Sequence, residues 1–260
     1  MNSRTTKRKP QQSFLLIDVS NSYTKLALAS RTKLFSVKKI PTADLSAKSL
    51  EKAVGVWDFE TAVISSVVPK VEKTLNRFLK GSRILRVGPK LNLGVGIDYP
   101  RPASIGADRL ANAASTVALV GAPAVVVDFG TAVTFDIISP GKKYIGGVIA
   151  PGLQVMTDYL YQRTALLPRI DLSEPVTAIG KSTRNAMMAG AVFGYRGLVK
   201  QILAEISREI GVSESVKVVA TGGYASLIAA KLPEIQKVYP NLTLEGLRII
   251  GVLNDRSSLL

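Results

Sequence analysis

The sequence predicts an α/β protein of two similar domains with mixed β-sheets. Three observations predict it. An apolar run, Phe14 to Ile17, ends on Asp18, turns through Ser20-Asn21-Ser22 and restarts at Leu26-Ala27-Leu28. The stretch V-V-V-D-F-G-T-A-V-T-F-D-I-I-S, residues 125–139, repeats that pattern 110 positions later, placing Asp18 on Asp128, Ser20 on Gly130, Asn21 on Thr131, Thr24 on Thr134 and Leu28 on Ile138. Each copy is followed by alternating helical and strand patterns, as in an α/β protein whose sheets are mixed. Strand, small polar turn and strand read as a β-hairpin, and a period near 110 is too long for a solenoid.

The elements follow in order. After the first hairpin, residues 32–40 read as a third strand, 45–54 as a helix and 61–68 as a strand ending at Pro69. Residues 71–79 read as a helix and 84–87 as a short strand, and the Gly- and Pro-rich residues 88–105 as loop. A helix over 105–120, with Ser104 as its cap, stops at Gly121-Ala122-Pro123, where the domain boundary falls. The second half restarts with strands at 124–129, 132–139 and 142–149, then helices near 152–161 and 180–210. Residues 217–220 read as a strand, Gly222-Gly223 opens a helix, and 242–253 form the last helix. The domains are therefore expected at 14–121 and 122–260, behind a disordered basic tail at 1–13.

Composition narrows the chemistry. With 47% apolar and 20% charged residues, the 260-residue chain can bury a real core. No apolar run approaches the ~18 residues of a membrane span, and no signal-peptide core is seen. There is no cysteine, so disulfides and thiolate metal sites are excluded, which fits a cytoplasmic protein. There is no histidine, so a general base must be a carboxylate, lysine or tyrosine, and a bound metal must be a hard cation held by oxygen. The net charge of +15, with Arg4, Lys7, Arg8 and Lys9 ahead of the first acid, reads either as attraction to polyanions or as a solvated basic surface.

A turn of Gly, Ser, Asn and Thr exposes amides and hydroxyls that bind phosphate oxygens. An acid just before it can hold a neutralising cation. Two matched copies suggest a clamp for a nucleotide's phosphate tail; ordinary hairpins with turn-favouring residues would look similar. In I-D-Y-P-R-P-A-S-I-G-A-D-R, residues 97–109, Asp108 reads either as an acid complementing a helix dipole or as a general base, with Arg109 beside it to bind an anionic substrate group. The glycines of I-G-G-V-I-A-P-G-L, residues 145–153, mark a tight strand–helix junction or close approach to a ligand. Gly180-Lys181-Ser182 ends like a P-loop, but Pro175 stands where its first glycine belongs, so that motif is rejected. Gly222-Gly223 offers a weak signal for the flat face of a nucleoside.

Taken together, I-D-V-S-N-S-Y-T-K, I-D-Y-P with I-G-A-D-R, V-D-F-G-T-A-V-T-F-D, G-G-V-I-A-P-G, R-T-A-L-L-P, I-G-K-S-T and A-T-G-G, in this order over about residues 14–253, resemble the type III pantothenate kinases of the acetate and sugar kinase/Hsc70/actin superfamily. The resemblance implies two duplicated actin-like, ribonuclease H-like domains with the active site in the interdomain cleft. It implies transfer of phosphate from ATP to the primary hydroxyl of pantothenate, giving 4′-phosphopantothenate in the first step of coenzyme A synthesis. It places the ATP loop on Asp18, Val19, Ser20, Asn21, Ser22, Tyr23, Thr24 and Lys25, with a further ATP contact at Thr131. The base falls on Asp108, and pantothenate contacts on Tyr99, Gly106, Ala107, Asp108, Arg109 and Thr183. Asp128 falls on a monovalent-cation site for K⁺ or NH₄⁺, and Asp18 on the Mg²⁺ side, acting indirectly. A homodimer with the substrate site near its interface is implied; no membrane or nucleic-acid partner is.

One departure stands out. The family loop normally reads Asp-x-Gly-Asn-Thr, and here it is Asp18-Val19-Ser20-Asn21-Ser22. If that position needs φ > 0, serine costs about 1 kcal/mol there. With the net charge, this departure motivates the rival reading: a non-catalytic regulatory or nucleic-acid-associated relative on the same scaffold, like members named Bvg accessory factors. A kinase for another small hydroxy acid or sugar is a third reading.

Overall fold

The computed structural model describes residues 13–211 and 216–255. Residues 1–12, which hold nearly all of the expected basic tail, lie outside the described residues. The strands are β1 (Phe14–Val19), β2 (Tyr23–Ala29), β3 (Leu34–Pro41), β4 (Thr61–Ser66), β5 (Arg83–Arg86), β6 (Gly96–Ile97), β7 (Ala124–Phe129), β8 (Ala132–Ile138), β9 (Lys143–Pro151), β10 (Lys217–Gly222) and β11 (Lys237–Val238). The helices are α1 (Ala47–Val54), α2 (Glu72–Phe78), α3 (Ala107–Leu119), α4 (Leu153–Arg163), α5 (Thr183–Ile210), α6 (Ala225–Ala229) and α7 (Leu242–Leu253). No helix among the described residues is long and apolar enough to cross a membrane.

The chain divides into two compact units. Among the described residues, unit 1 comprises 13–94, 103–115 and 243–255, and unit 2 comprises 95–102, 116–211 and 216–242.

Unit 1 is built on a five-stranded mixed sheet in the order β3-β2-β1-β4-β5. β1 runs antiparallel to β2 and parallel to β4. It is central and buried on both faces, which is why its sequence is a continuous apolar run rather than an alternating one. Leu15, Ile17 and Val19 face one core with Leu50 and Val54 of α1 and Leu75 of α2. The opposite face receives α7, whose Gly251 lies so close to Phe14 and Val63 that an added Cβ would approach their side chains to within 3.0–3.2 Å. α7 also meets α3 with almost no gap: a Cβ on Gly246 would sit 2.0 Å from the Ala111 carbonyl oxygen. The buried Thr243 hydroxyl donates to Asn112 Oδ1 at 2.9 Å, and Arg31 pairs with buried Asp255 at 2.6 Å just past the helix.

Unit 2 carries a six-stranded sheet in the order β11-β10-β7-β8-β9-β6. Leaving β6 aside, its order read from β9 is 9-8-7-10-11, the pattern of 3-2-1-4-5 in unit 1, so the repeat in the sequence is a repeat in topology. Val125, Val127 and Phe129 of β7 and Val133, Phe135 and Ile137 of β8 pack with Val192, Tyr195, Val199 and Leu203 of α5.

The hairpins differ in one respect that the fixed shift of 110 concealed. Asp18 opposes Lys25 across β1–β2, whereas Asp128 opposes Thr134 across β7–β8. Three residues, 20–22, link the first pair of strands and only Gly130-Thr131 links the second. The repeat therefore slips by one residue after the turn. Thr134 corresponds to Lys25 rather than Thr24, and Ile137 rather than Ile138 corresponds to Leu28. The structure also adds β6, inside the expected loop 88–105, and β11, each of two residues. Helix α3 begins at Ala107, and the Gly106 carbonyl accepts the Leu110 amide at 3.1 Å. Ser104 belongs instead to a 3₁₀ turn at Pro102–Ser104, so the cap position is Gly106.

Candidate active site

In unit 1 the first turn follows from the strand register. Val19 opposes Thr24, and the Ser20 amide donates to the Tyr23 carbonyl at 3.1 Å, closing the loop on Asn21 and Ser22, both exposed. Asp18 is buried at the strand end, with Lys25 directly across on β2 and Ser65 beside it on β4. Opposite charges in such a cross-strand pair attract. Among the described residues, the only non-glycine at positive φ is Lys142. Ser20 therefore sits in ordinary backbone space, and the conditional cost of replacing glycine there does not arise. Its counterpart Gly130 also lacks a positive φ.

A residue that motif reading missed braces this turn. Buried Thr42, just past β3, donates its hydroxyl to the Ser20 carbonyl at 2.7 Å and its amide to the Ser22 carbonyl at 3.0 Å. Its hydroxyl proton being used, Thr42 accepts from the buried Thr24 hydroxyl at 3.1 Å. Both ends of the turn are thus fixed by one residue just past the third strand, which keeps its amides and hydroxyls in one arrangement.

Gly106, Ala107, Asp108 and Arg109 are consecutive at the start of α3 in the same unit. Asp108 Oδ1 accepts the Arg109 amide at 2.9 Å. Burial pushes the Asp108 carboxyl above its ordinary value, and the Arg109 amide and guanidinium pull it partly back. Gly106 leaves room for it, since a Cβ there would sit 2.5 Å from Asp108 Oδ1. A half-buried carboxylate that holds its proton more readily than a surface acid is suited to accept one from an alcohol.

Unit 2 holds Tyr99, Asp128, Thr131 and Thr183. Asp128, next to last in β7, lies between two hydroxyl residues, Thr134 across on β8 and Thr221 beside it on β10. The second turn is clamped by the start of α4: the Gly152 amide donates to the Thr131 carbonyl at 3.0 Å, and a Cβ on Gly152 would lie 2.2 Å from that oxygen. The glycine run 145–153 thus serves at Gly152 as a tight junction against the Thr131 turn. Gly222, at φ +96, is also tightly packed, its added Cβ falling 2.6 Å from the Phe129 backbone. Tyr99 follows β6, is 38% exposed, and meets Tyr144 edge-on. Thr183 is the first residue of α5, and Ser182 caps that helix by accepting the Asn185 amide at 3.2 Å. The segment before it is anchored by Arg196, a buried cation in α5 that no motif flagged. Arg196 grips Glu174 through two bonds, at 2.9 and 2.6 Å, and donates to the Leu227 and Ile228 carbonyls.

Comparison with known proteins identifies the family. The sequence model of the type III pantothenate kinase family matches residues 14–205. A type III pantothenate kinase of Akkermansia muciniphila is 52% identical over 243 residues, covering 93% of this chain and 99% of that protein. One from Methylacidiphilum infernorum is 43% identical over 237 residues, covering 91% and 87%. Among solved structures, the activator of the 2-hydroxyisocaproyl-CoA dehydratase from Clostridium difficile with bound ADPNP superposes with a TM-score of 0.54 at 9% identity, covering 95% of this chain and 97% of that one, a likeness of fold alone. With a family match over most of its length and relatives this similar end to end, the chain belongs to the type III pantothenate kinase family.

Proposed function

We propose that in this ATP-dependent pantothenate kinase Asp108 is the general base. Asp108 takes the proton of the primary hydroxyl of pantothenate as that oxygen bonds to the γ-phosphorus of ATP; the bond from the γ-phosphorus to the β–γ bridging oxygen breaks, and ADP leaves. Transfer of this kind depends mainly on positioning and charge neutralisation, so a weak base suffices. Arg109 holds the pantothenate carboxylate, and Tyr99, Gly106, Ala107 and Thr183 shape its site. The turn from Asp18 to Lys25, with Thr131, holds the triphosphate. The equal strand orders of the two sheets support two domains of the actin-like, ribonuclease H-like class. The observation that carries the assignment of the base is the Asp108 carboxylate itself, raised by burial and given space by Gly106.

The donor sets fit the cations the family implies. No three His, Cys, Asp or Glu side chains cluster as a metal site among the described residues. That suits Mg²⁺, which is usually held by one or two carboxylates plus substrate phosphates and water, with Asp18 as the nearby acid. Mg²⁺ supplies charge neutralisation on the phosphates. Asp128 faces hydroxyl residues where Asp18 faces a lysine, so its strand end offers oxygen donors to a monovalent cation. ADP release should depend on pantothenate and be supported by K⁺ but not by Na⁺. Asp128→Asn should remove most of the K⁺ stimulation; unchanged stimulation in that variant would remove Asp128 from the cation site.

The protein acts as a homodimer in this reading. Met156, Tyr159 and Leu160 form an exposed i, i+3, i+4 stripe on α4, at 39%, 57% and 42% exposure. Exposed apolar side chains that share one helix face support a contact surface there. Light scattering should give twice the chain mass for the wild type and one chain mass for Tyr159→Glu; a monomeric wild type would discard the dimer.

A further inference from the structure

β8 places Val133, Phe135 and Ile137 in the core against α5, so Asp136 points to the opposite face, where it is wholly buried. Burying a carboxylate costs free energy that its interactions must offset. One of its partners is Tyr144 on β9, whose hydroxyl donates toward Asp136 Oδ1 at 3.4 Å. Tyr144 is itself 1% exposed, so its ring is fixed by packing as well as by that bond. The ring meets Tyr99 edge to face, with centroids 6.1 Å apart and planes at 68°. Its backbone is tied to the same segment, since the Asp98 amide donates to the Tyr144 carbonyl at 2.9 Å. Gly146, at φ +141, lies close to Tyr99, and a Cβ there would come within 4.0 Å of the Tyr99 ring. Tyr99, by contrast, is partly open to solvent and follows a strand of only two residues. Its orientation is therefore set by what stands behind it.

We propose that Asp136 and Tyr144 are positioning residues for pantothenate: the buried acid holds the Tyr144 ring, and that ring holds Tyr99. The proposal rests on the reading of Tyr99 as a pantothenate contact. Neither residue touches substrate in this scheme, and the pair acts on pantothenate recognition rather than on ATP.

The test is a double-mutant cycle read by steady-state kinetics on the full-length enzyme. Tyr144→Phe keeps the ring and removes the hydroxyl. It should raise the KM for pantothenate roughly five- to tenfold, more than it lowers kcat, with the KM for ATP within about twofold. Tyr99→Ala should raise the same KM, and adding Tyr144→Phe to it should have no further effect, because the only route by which Tyr144 acts is gone. Asp136→Asn, which keeps an acceptor oxygen, should stay near wild type, while Asp136→Leu should match Tyr144→Phe. A Tyr144→Phe enzyme with wild-type pantothenate KM, or one whose effect adds fully to that of Tyr99→Ala, overturns the positioning role. If Tyr99→Ala itself leaves the pantothenate KM unchanged, the underlying reading of Tyr99 fails, and the proposal with it.

Discussion

Asp108→Asn should lower kcat by about 10²- to 10⁴-fold while pantothenate and ATP still bind. The amide has the size and shape of the carboxylate but cannot take the hydroxyl proton. Single-turnover ADP formation with separate binding measurements checks this, and near-normal turnover would remove Asp108 as the base. The wild-type rate should fall as pH drops through the raised Asp108 pKa, and the variant should lack that limb. The same substitution should stabilise the fold. Because the folded-state pKa lies above the unfolded value of about 3.9, the folded protein binds the proton more tightly. Below the unfolded value Asp108 is neutral in both states and costs nothing. As pH rises through the folded value, the fold must keep a charge in a poorly solvated place, and stability falls. Asn pays none of this, so the melting temperature of Asp108→Asn should exceed that of wild type at neutral pH, and the gap should close below about pH 4. A stabilised but inactive variant is the expected signature of a site held at the expense of stability.

Gly152→Ala should be among the most damaging single methyl groups in unit 2. The added Cβ would meet the Thr131 and Gly130 carbonyl oxygens at 2.2 and 2.5 Å, and neither is the end of a flexible side chain. The backbone of the Thr131 turn or the start of α4 must move, at a cost of about 1–3 kcal/mol or more, which lowers the melting temperature by several degrees. Because the displaced atoms belong to the turn proposed to hold ATP, the KM for ATP should rise as well. Gly197→Ala in α5 is the matched control: nothing lies within 4 Å of its Cβ, so it should be neutral or stabilise by about 0.5–1 kcal/mol. Equal melting temperatures for the two variants would show that the junction yields.

Which features could be read from the sequence follows from where their signals reside. The hairpins were legible because each compresses its chemistry into a few adjacent residues: an apolar run, one acid, a small polar turn. Their one-residue slip was not, since Ser20-Asn21-Ser22 and Gly130-Thr131 are equally good turn formers and only the register of Lys25 and Thr134 separates them. Asp108 was legible as an acid in a first helical turn, but its raised pKa comes from burial that no local pattern encodes. β6 and β11 are two residues long, too short for any period to register. Thr42 and Arg196 act on segments about twenty residues away or more, so nothing beside them in the chain announces their role. The effect of Ser20 turned on one backbone angle, and that angle proved ordinary.

The return of α7 to unit 1 bears on the order in which the chain can fold as it is made. Phe14 and Val63, which Gly251 packs against, leave the ribosome long before residue 251 is synthesised. Until then one face of the five-stranded sheet has no helix 242–253 to cover it, and its apolar side chains are open to chaperones or to other nascent chains. The bulk of unit 2, residues 116–242, is continuous and can close as soon as it emerges. The N-terminal half thus begins folding first and finishes last, and its completion waits on the final dozen or so residues of the described chain.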